Sequence, residues 1–288
     1  MSELKKMGFV VLVGRSNVGK STLLNTLVGT KVSITTPKPQ TTRHPARGIF
    51  HDKRGQIVFV DTPGIFLGKK DHVSHRLNQI VEEQLEGIEA VVYVVDPSRL
   101  PGVEEERIQQ LLRATSIPVL LAINKCDLSP DELPALELMR SIDVGQRGNY
   151  EVSANKSTGL KALIDGLFTI IPDGEAFYPE QQLTDIGNQE WLSELIREKV
   201  FLKLEQELPY TVHVEVTRDE VQDNGLRAIE ATVWTTEERY KGMIVGAKAQ
   251  MIKQISMDVR KELELVTGQK VFLRLEVAVD SKWQQRFR

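Results

Sequence analysis

Short apolar runs alternate with amphipathic stretches along the first part of the chain, and the spacing predicts a definite order of elements. Residues 7–13 read as a strand, 20–28 as a helix, and 47–61 as two strands joined by the charged turn Asp52-Lys53-Arg54-Gly55. Helical periodicity over 72–86, a strand at 90–95, a helix at 104–114 and a strand at 119–124 come next. A helix at 131–141, a strand ending at Ser153 and a helix at 158–170 complete the series. Strand and helix in alternation predict an α/β unit with a mostly parallel sheet covered on both faces. The pattern breaks at Ile171-Pro172-Asp173-Gly174, and turn residues without periodicity then run to Asn188. Beyond them come a helix at 189–207, strands at 211–218 and 227–235, a helical turn near Lys241, a helix at 247–266 and a strand at 270–279. The order α-β-β-α-α-β predicts a small α+β module. The expected organisation is a first domain over 1–171, a linker over 172–188 and a second domain over 189–288.

Chemistry enters where the strands end. Gly14-Arg15-Ser16-Asn17-Val18-Gly19-Lys20-Ser21 fits the phosphate-loop pattern G-x-x-x-x-G-K-[ST], which a random chain of this length shows in roughly one case in a hundred. Asp61-Thr62-Pro63-Gly64 is weaker alone, because Asp52 to Gly55 matches D-x-x-G as well. Context separates them: Asp61 closes the strand-like run Ile57-Val58-Phe59-Val60, and ligands of parallel sheets sit at the carboxyl ends of strands. Asn124-Lys125-Cys126-Asp127 likewise comes after a buried run, and Ser153-Ala154 ends the next strand. Together the four runs describe a guanine-nucleotide pocket. Lys20 is assigned to the β and γ phosphates and Ser21 to Mg²⁺, with Asp61 holding a metal-bound water and the Gly64 N–H touching the γ phosphate. Asp127 accepts from guanine N1–H and the exocyclic amine, donors that adenine lacks. Asn124 braces the pocket, Lys125 lies along the base plane, and the Ala154 N–H is assigned to the guanine carbonyl. The polar stretch 35–45 has the character of a switch loop, in which Thr42 rather than Thr41 is the residue that reaches Mg²⁺.

Composition adds a few constraints. The 288 residues suffice for two cores, and the amino terminus shows no signal-peptide core, so export is not expected. A single cysteine, Cys126, excludes an internal disulfide framework and reads as a small core side chain. The net charge of −3 conceals an asymmetry: from Tyr240 onward ten Lys and Arg face five Asp and Glu, leaving −8 on the remainder. A basic segment on an acidic body points to nucleic acid or an anionic membrane, and a solvated helix face gives the same count.

The run of residues 14–25, Val32-Ser33-Ile34-Thr35, Gln40-Thr41-Thr42-Arg43-His44 and Asp61 to Gly64 resembles the Era family of bacterial GTPases, and the similarity extends to Glu207-Leu208-Pro209-Tyr210. The resemblance implies a GTP/GDP cycle with Mg²⁺ and a second domain of the type II KH fold, which binds the 3′ end of small-subunit ribosomal RNA during 30S assembly. Lys20, Thr42 and Asn17 are the residues expected to take part in catalysis. Ile65 stands where Ras-like proteins carry the glutamine that orients water, so K⁺ held partly by Asn17 is expected to stand in for it, giving slow hydrolysis that potassium stimulates. A monomer acting in the cytoplasm, with peripheral contact at the inner membrane, is the further expectation. KH domains grip nucleic acid with a G-x-x-G loop, and this chain has Gly246-Ala247-Lys248-Ala249, with Lys253 beyond it. The missing second glycine leaves two readings: an RNA-binding module, or a GTPase signalling module acting on a protein or membrane partner with the KH fold as spacer. The chain also ends soon after Trp283, earlier than Era proteins that continue into a helical tail.

Overall fold

The computed structural model describes residues 5–38, 41–43, 45–63 and 87–283. Gly64, Ile65 and the helix expected at 72–86 lie outside them. The described chain forms two compact units, one of residues 5–35 and 41–185, the other of residues 186–283 together with 36–38.

In the first unit the strands are β1 (Lys5–Val13), β2 (Ala46–Asp52), β3 (Gly55–Asp61), β4 (Ala90–Val95), β5 (Val119–Ile123), β6 (Asn149–Glu151) and the two-residue β7 (Asp173–Gly174). They lie in the order β2-β3-β1-β4-β5-β6, with β7 antiparallel on β1. Only β2 runs antiparallel along that path; β3, β1, β4, β5 and β6 are mutually parallel. Every residue of β3, β4 and β5 is buried, as expected of strands covered on both faces and written in Val, Ile and Leu without alternation. The helices are α1 (Lys20–Val28), α2 (Val103–Arg113), α3 (Leu136–Arg140) and α4 (Leu160–Phe168). Parallel strands deliver their C-terminal loops to one edge of the sheet, so Gly14, Asp61, Asp96, Asn124 and Ser153 emerge at the same end.

Two expectations are corrected in this unit. The helix expected over 131–141 is a 3₁₀ turn at Pro130–Glu132 and then the five-residue α3, because Pro134 interrupts it without an N–H to donate. The stretch expected as a linker is held by the first unit as far as Asp185. β7 pairs with β1, Ile49 N–H donates to Leu183 O at 2.8 Å, and Gln56 reaches Tyr178 O at 2.8 Å.

The second unit contains α5 (Asn188–Lys203), β8 (His213–Val221), β9 (Arg227–Thr235), α6 (Glu238–Val245), α7 (Gln250–Thr267) and β10 (Val271–Val279). Its sheet runs β10-β9-β8, with β9 parallel to β10 and antiparallel to β8. Leu192, Ile196 and Val200 of α5 share one core with Ile255, Val259 and Leu263 of α7 and with Val214, Ile229 and Val233 of the sheet. Alternation along β9 places Ile229, Ala231 and Val233 inward. Trp283 closes the unit, donating its indole N–H to Thr211 O at 2.9 Å. Here α5 stops at Lys203, short of the expected 207, as Leu204 turns extended ahead of the 3₁₀ turn at Leu208–Thr211. The expected turn near Lys241 is the full helix α6. The Lys38 ammonium donates to the carbonyls of Phe201 and Leu204, the second at 2.6 Å, satisfying acceptors that the end of α5 leaves open.

Candidate functional site

The loop between β1 and α1 shows why its glycines are glycines. A Cβ on Gly14 would lie 2.3 Å from Val94 O, and one on Gly19 would lie 2.3 Å from Asn124 Nδ2, at a φ of +100 that side chains rarely adopt. Lys20, the first residue of α1, folds back into the arch of this loop and donates to Gly14 O at 2.9 Å and Arg15 O at 3.1 Å. Burial lowers its pKa to about 8, against the raising effect of Asp61, and Arg99 lowers it further. Asn17 takes a left-handed φ of 64. Arg15 anchors the loop to α2, its Nε 3.2 Å from Glu104 and its Nη1 3.3 Å from Glu105.

Beside the loop, oxygen ligands converge. Ser21 Oγ donates to Asp61 Oδ2 at 2.5 Å, and Thr42 Oγ1 lies 3.0 Å from Ser21 Oγ and 3.5 Å from Asp61 Oδ2. Thr42 therefore stands within reach of both of these groups. Asp61 is fully buried, its pKa is raised by that burial, and its Oδ1 has no hydrogen-bond partner among the described residues. A hard-oxygen set with an orphaned buried carboxylate oxygen fits Mg²⁺. Ser21 and Thr42 would hold the ion directly and Asp61 through water. Thr62 donates to Leu12 O at 2.7 Å, so it fixes the loop after β3, and Pro63 is buried behind it.

The base-recognition runs are cross-tied. Asn124 Nδ2 donates to Val18 O at 2.8 Å, and Asn124 Oδ1 accepts from Ala154 N–H at 2.9 Å, so one buried amide joins three loops. The Ala154 N–H assigned to guanine is therefore engaged by Asn124 here. Asp127 is exposed, with Oδ1 accepting from Ser153 Oγ at 2.6 Å. Cys126 is half-buried, its thiol pKa raised by burial, consistent with a packing role.

Some contributors lie outside the four nucleotide-binding runs. Asn25 Oδ1 accepts from Val32 and Ser33 N–H at 2.8 and 2.9 Å, pinning the start of the switch loop, and Ser33 Oγ donates to Asp61 Oδ2 at 2.8 Å. Asp96 stands directly after β4, much as Asp61 closes β3. That shared strand-end position is a signal the sequence offers.

In the second unit, Gly246 (φ 74), Lys248 (φ 49) and Ala249 (φ 59) all take positive φ, which is why the helix expected from 247 begins only at Gln250. The loop thus keeps a left-handed conformation at the alanine. A Cβ on Gly246 would meet Met251 Cβ at 2.7 Å. Lys248, Ala249 and Lys253 are exposed, and α7 presents its first-turn N–H groups beside them.

A phosphate loop, a hard-oxygen cation cluster and an N-K-x-D base pocket on one edge of a parallel sheet define a P-loop GTPase, joined here to a KH unit. Comparison with known proteins agrees: the model for the 50S ribosome-binding GTPase family matches residues 9–125, and that for the KH domain matches 207–284. GTPase Era of Halothermothrix orenii is 38% identical over 290 residues, covering 98% of this chain and 95% of that protein. Its counterpart in Lactobacillus delbrueckii subsp. bulgaricus is 39% identical over 283 residues, covering 97% and 93%. Two crystal structures superpose over 98% of this chain and 96% of theirs at 33% identity. Aquifex aeolicus Era bound to GDP·AlF4⁻ gives a TM-score of 0.90, and Era with MgGDPNP and nucleotides 1506–1542 of 16S ribosomal RNA gives 0.91. The chain belongs to the Era family of GTPases.

Proposed function

We propose that this protein is a GTP-hydrolysing switch that binds the 3′ region of small-subunit ribosomal RNA through its KH unit and assists 30S assembly in the cytoplasm. The observation that carries the RNA reading is the exposed Gly246-to-Ala249 loop, which keeps the left-handed backbone of a nucleic-acid grip beside Lys248 and Lys253. The relative seen with 16S ribosomal RNA nucleotides 1506–1542 supports it, as it matches this chain end to end.

In the first unit the chain's own groups divide the work. Lys20 exchanges the Gly14 and Arg15 carbonyls for phosphate oxygens, and Asp127 reads the guanine edge while Asn124 holds both loops in register. Bound Mg²⁺ supplies electrostatic stabilisation of the charge that develops on the phosphates. Thr42 carries the switch loop to the cluster, so loss of the γ phosphate frees that loop. With Ile65 unable to orient water, we infer that K⁺ near Asn17 assists hydrolysis; equal rates in potassium and sodium, in wild type and Asn17→Ala alike, would remove that inference.

Fluorescence anisotropy with a labelled oligonucleotide of the small-subunit ribosomal RNA 3′ end tests the RNA reading. Binding is expected with GDPNP, weaker binding with GDP, and loss of binding on Lys248→Glu. Absence of binding by the wild type at low salt would refute the RNA assignment.

A further inference from the structure

Asp96, directly after β4, has 2% of its surface exposed among residues otherwise given to nucleotide recognition, and no nucleotide motif includes it. Its Oδ1 serves a local turn, accepting from Ser98 N–H at 3.0 Å and Ser98 Oγ–H at 2.6 Å. Its Oδ2 faces two cations: Lys125 Nζ donates to it at 2.6 Å, and Arg99 Nε lies 3.5 Å away. The Arg99 guanidinium continues to Ser16 O in the phosphate loop, at 2.5 Å. One buried carboxylate therefore sits at the joint between the side chain that walls the base and the loop that takes the phosphates.

We propose that Asp96 is a positioning residue for guanine: it holds the Lys125 stem flat as the wall on which the base lies and, through Arg99, ties that wall to the phosphate loop. A free lysine stem surrenders its rotamers when a base docks. One already clamped by a buried carboxylate has lost them on folding, so nucleotide binding no longer bears that entropy. The competing account is that Asp96 only caps the turn at Ser98.

A double-mutant cycle on mant-GDP affinity separates the two, using Asp96→Ala, Lys125→Ala and the pair in the full-length protein. Asp96→Ala is expected to weaken binding about tenfold, the scale set by immobilising one long side chain. In the Lys125→Ala background the same change should then cost less than about twofold, since there is no stem left to hold. Ser98→Ala, which touches only the Oδ1 side, is expected to bind as wild type does. Multiplicative effects in the cycle, wild-type affinity of Asp96→Ala, or a Ser98→Ala loss equal to that of Asp96→Ala would each overturn the proposal. Should Asp96→Ala fail to fold, the cycle is read with Asp96→Asn, which keeps the size of the side chain and removes the charge facing both cations. The inference rests on the guanine pocket, and wild-type binding of mant-GDP tests that pocket separately: no wild-type binding would overturn both, whereas wild-type binding without coupling would overturn the positioning role alone.

Discussion

At the nucleotide edge the recognition groups are mostly buried and already bonded to one another, whereas in the Gly246-to-Ala249 loop they stand exposed on a left-handed backbone. Asn124 has 2% of its surface exposed and spans two loops, and Lys20 has 6% exposed and lies inside its own arch. Lys248 and Ala249 show the reverse, with open surfaces and positive φ. The difference teaches how each region achieves specificity. A pocket of interlocked polar groups fixes a shape, so changing one member disturbs the rest. A strained exposed loop beside lysines supplies charge and close approach, so its changes remain local.

The largest effect expected is on base choice. Asp127→Asn replaces an acceptor of two guanine hydrogen bonds by a group with one acceptor and one donor, and discrimination of this type reaches about 10⁴-fold. Competition between GDP and xanthosine diphosphate for the variant should reverse in favour of xanthine. Preserved guanine preference would mean that another side chain reads the base. Next comes Asn124→Ala, which strands Val18 O and the Ala154 N–H in a buried region at about 1–3 kcal/mol each. Chemical denaturation should show a loss of about 2–6 kcal/mol, with mant-GDP binding weakened about a hundredfold. A change that hurt affinity while leaving stability intact would break the picture of an interlocked pocket.

Much of this is legible in the sequence alone, for a physical reason. Phosphate loops must bring backbone close to the ligand, so glycines fall at fixed spacing, and strand-end carboxylates come after apolar runs that cannot be disguised. The strand β9 has its observed bounds in the sequence pattern, because apolar alternation is a local signal. The features that escape depend on packing between segments distant in sequence. Ser33 reaches Asp61 only because Asn25 pins the loop start, and Asp96 meets Lys125 only because β4 and β5 are adjacent. The helix expected at 131–141 fails because Pro134 breaks it despite the apolar periodicity around it. The stretch 172–185 reads as a linker because main-chain pairing with β1 and β2 leaves no side-chain signature.

A smaller effect probes the exposed loop by charge. Lys248→Ala is expected to weaken binding of the ribosomal RNA oligonucleotide by severalfold across sequences, and to reduce the slope of log affinity against log salt by about 0.7–0.9 if it neutralises one phosphate. GDP affinity should not move. An unchanged slope would place the lysine away from the sugar-phosphate chain and leave the helix terminus as the anion site.

The smallest effect lies at Ala249. A left-handed alanine costs about 1–2 kcal/mol relative to an unstrained backbone, and a glycine there would remove that cost while adding about 0.4–1 kcal/mol of unfolded-chain entropy. Ala249→Gly should therefore stabilise the protein by a few tenths to about 1 kcal/mol, measured by denaturant midpoint at unchanged slope. Because the loop already holds the glycine-like conformation, the substitution opens space without moving backbone. RNA affinity should rise modestly through a slower off-rate, with the salt dependence unaltered, since no charge has changed. Weaker RNA binding by Ala249→Gly would show instead that the methyl group contacts the nucleic acid, and the exposed loop would then share the interlocked character of the nucleotide pocket.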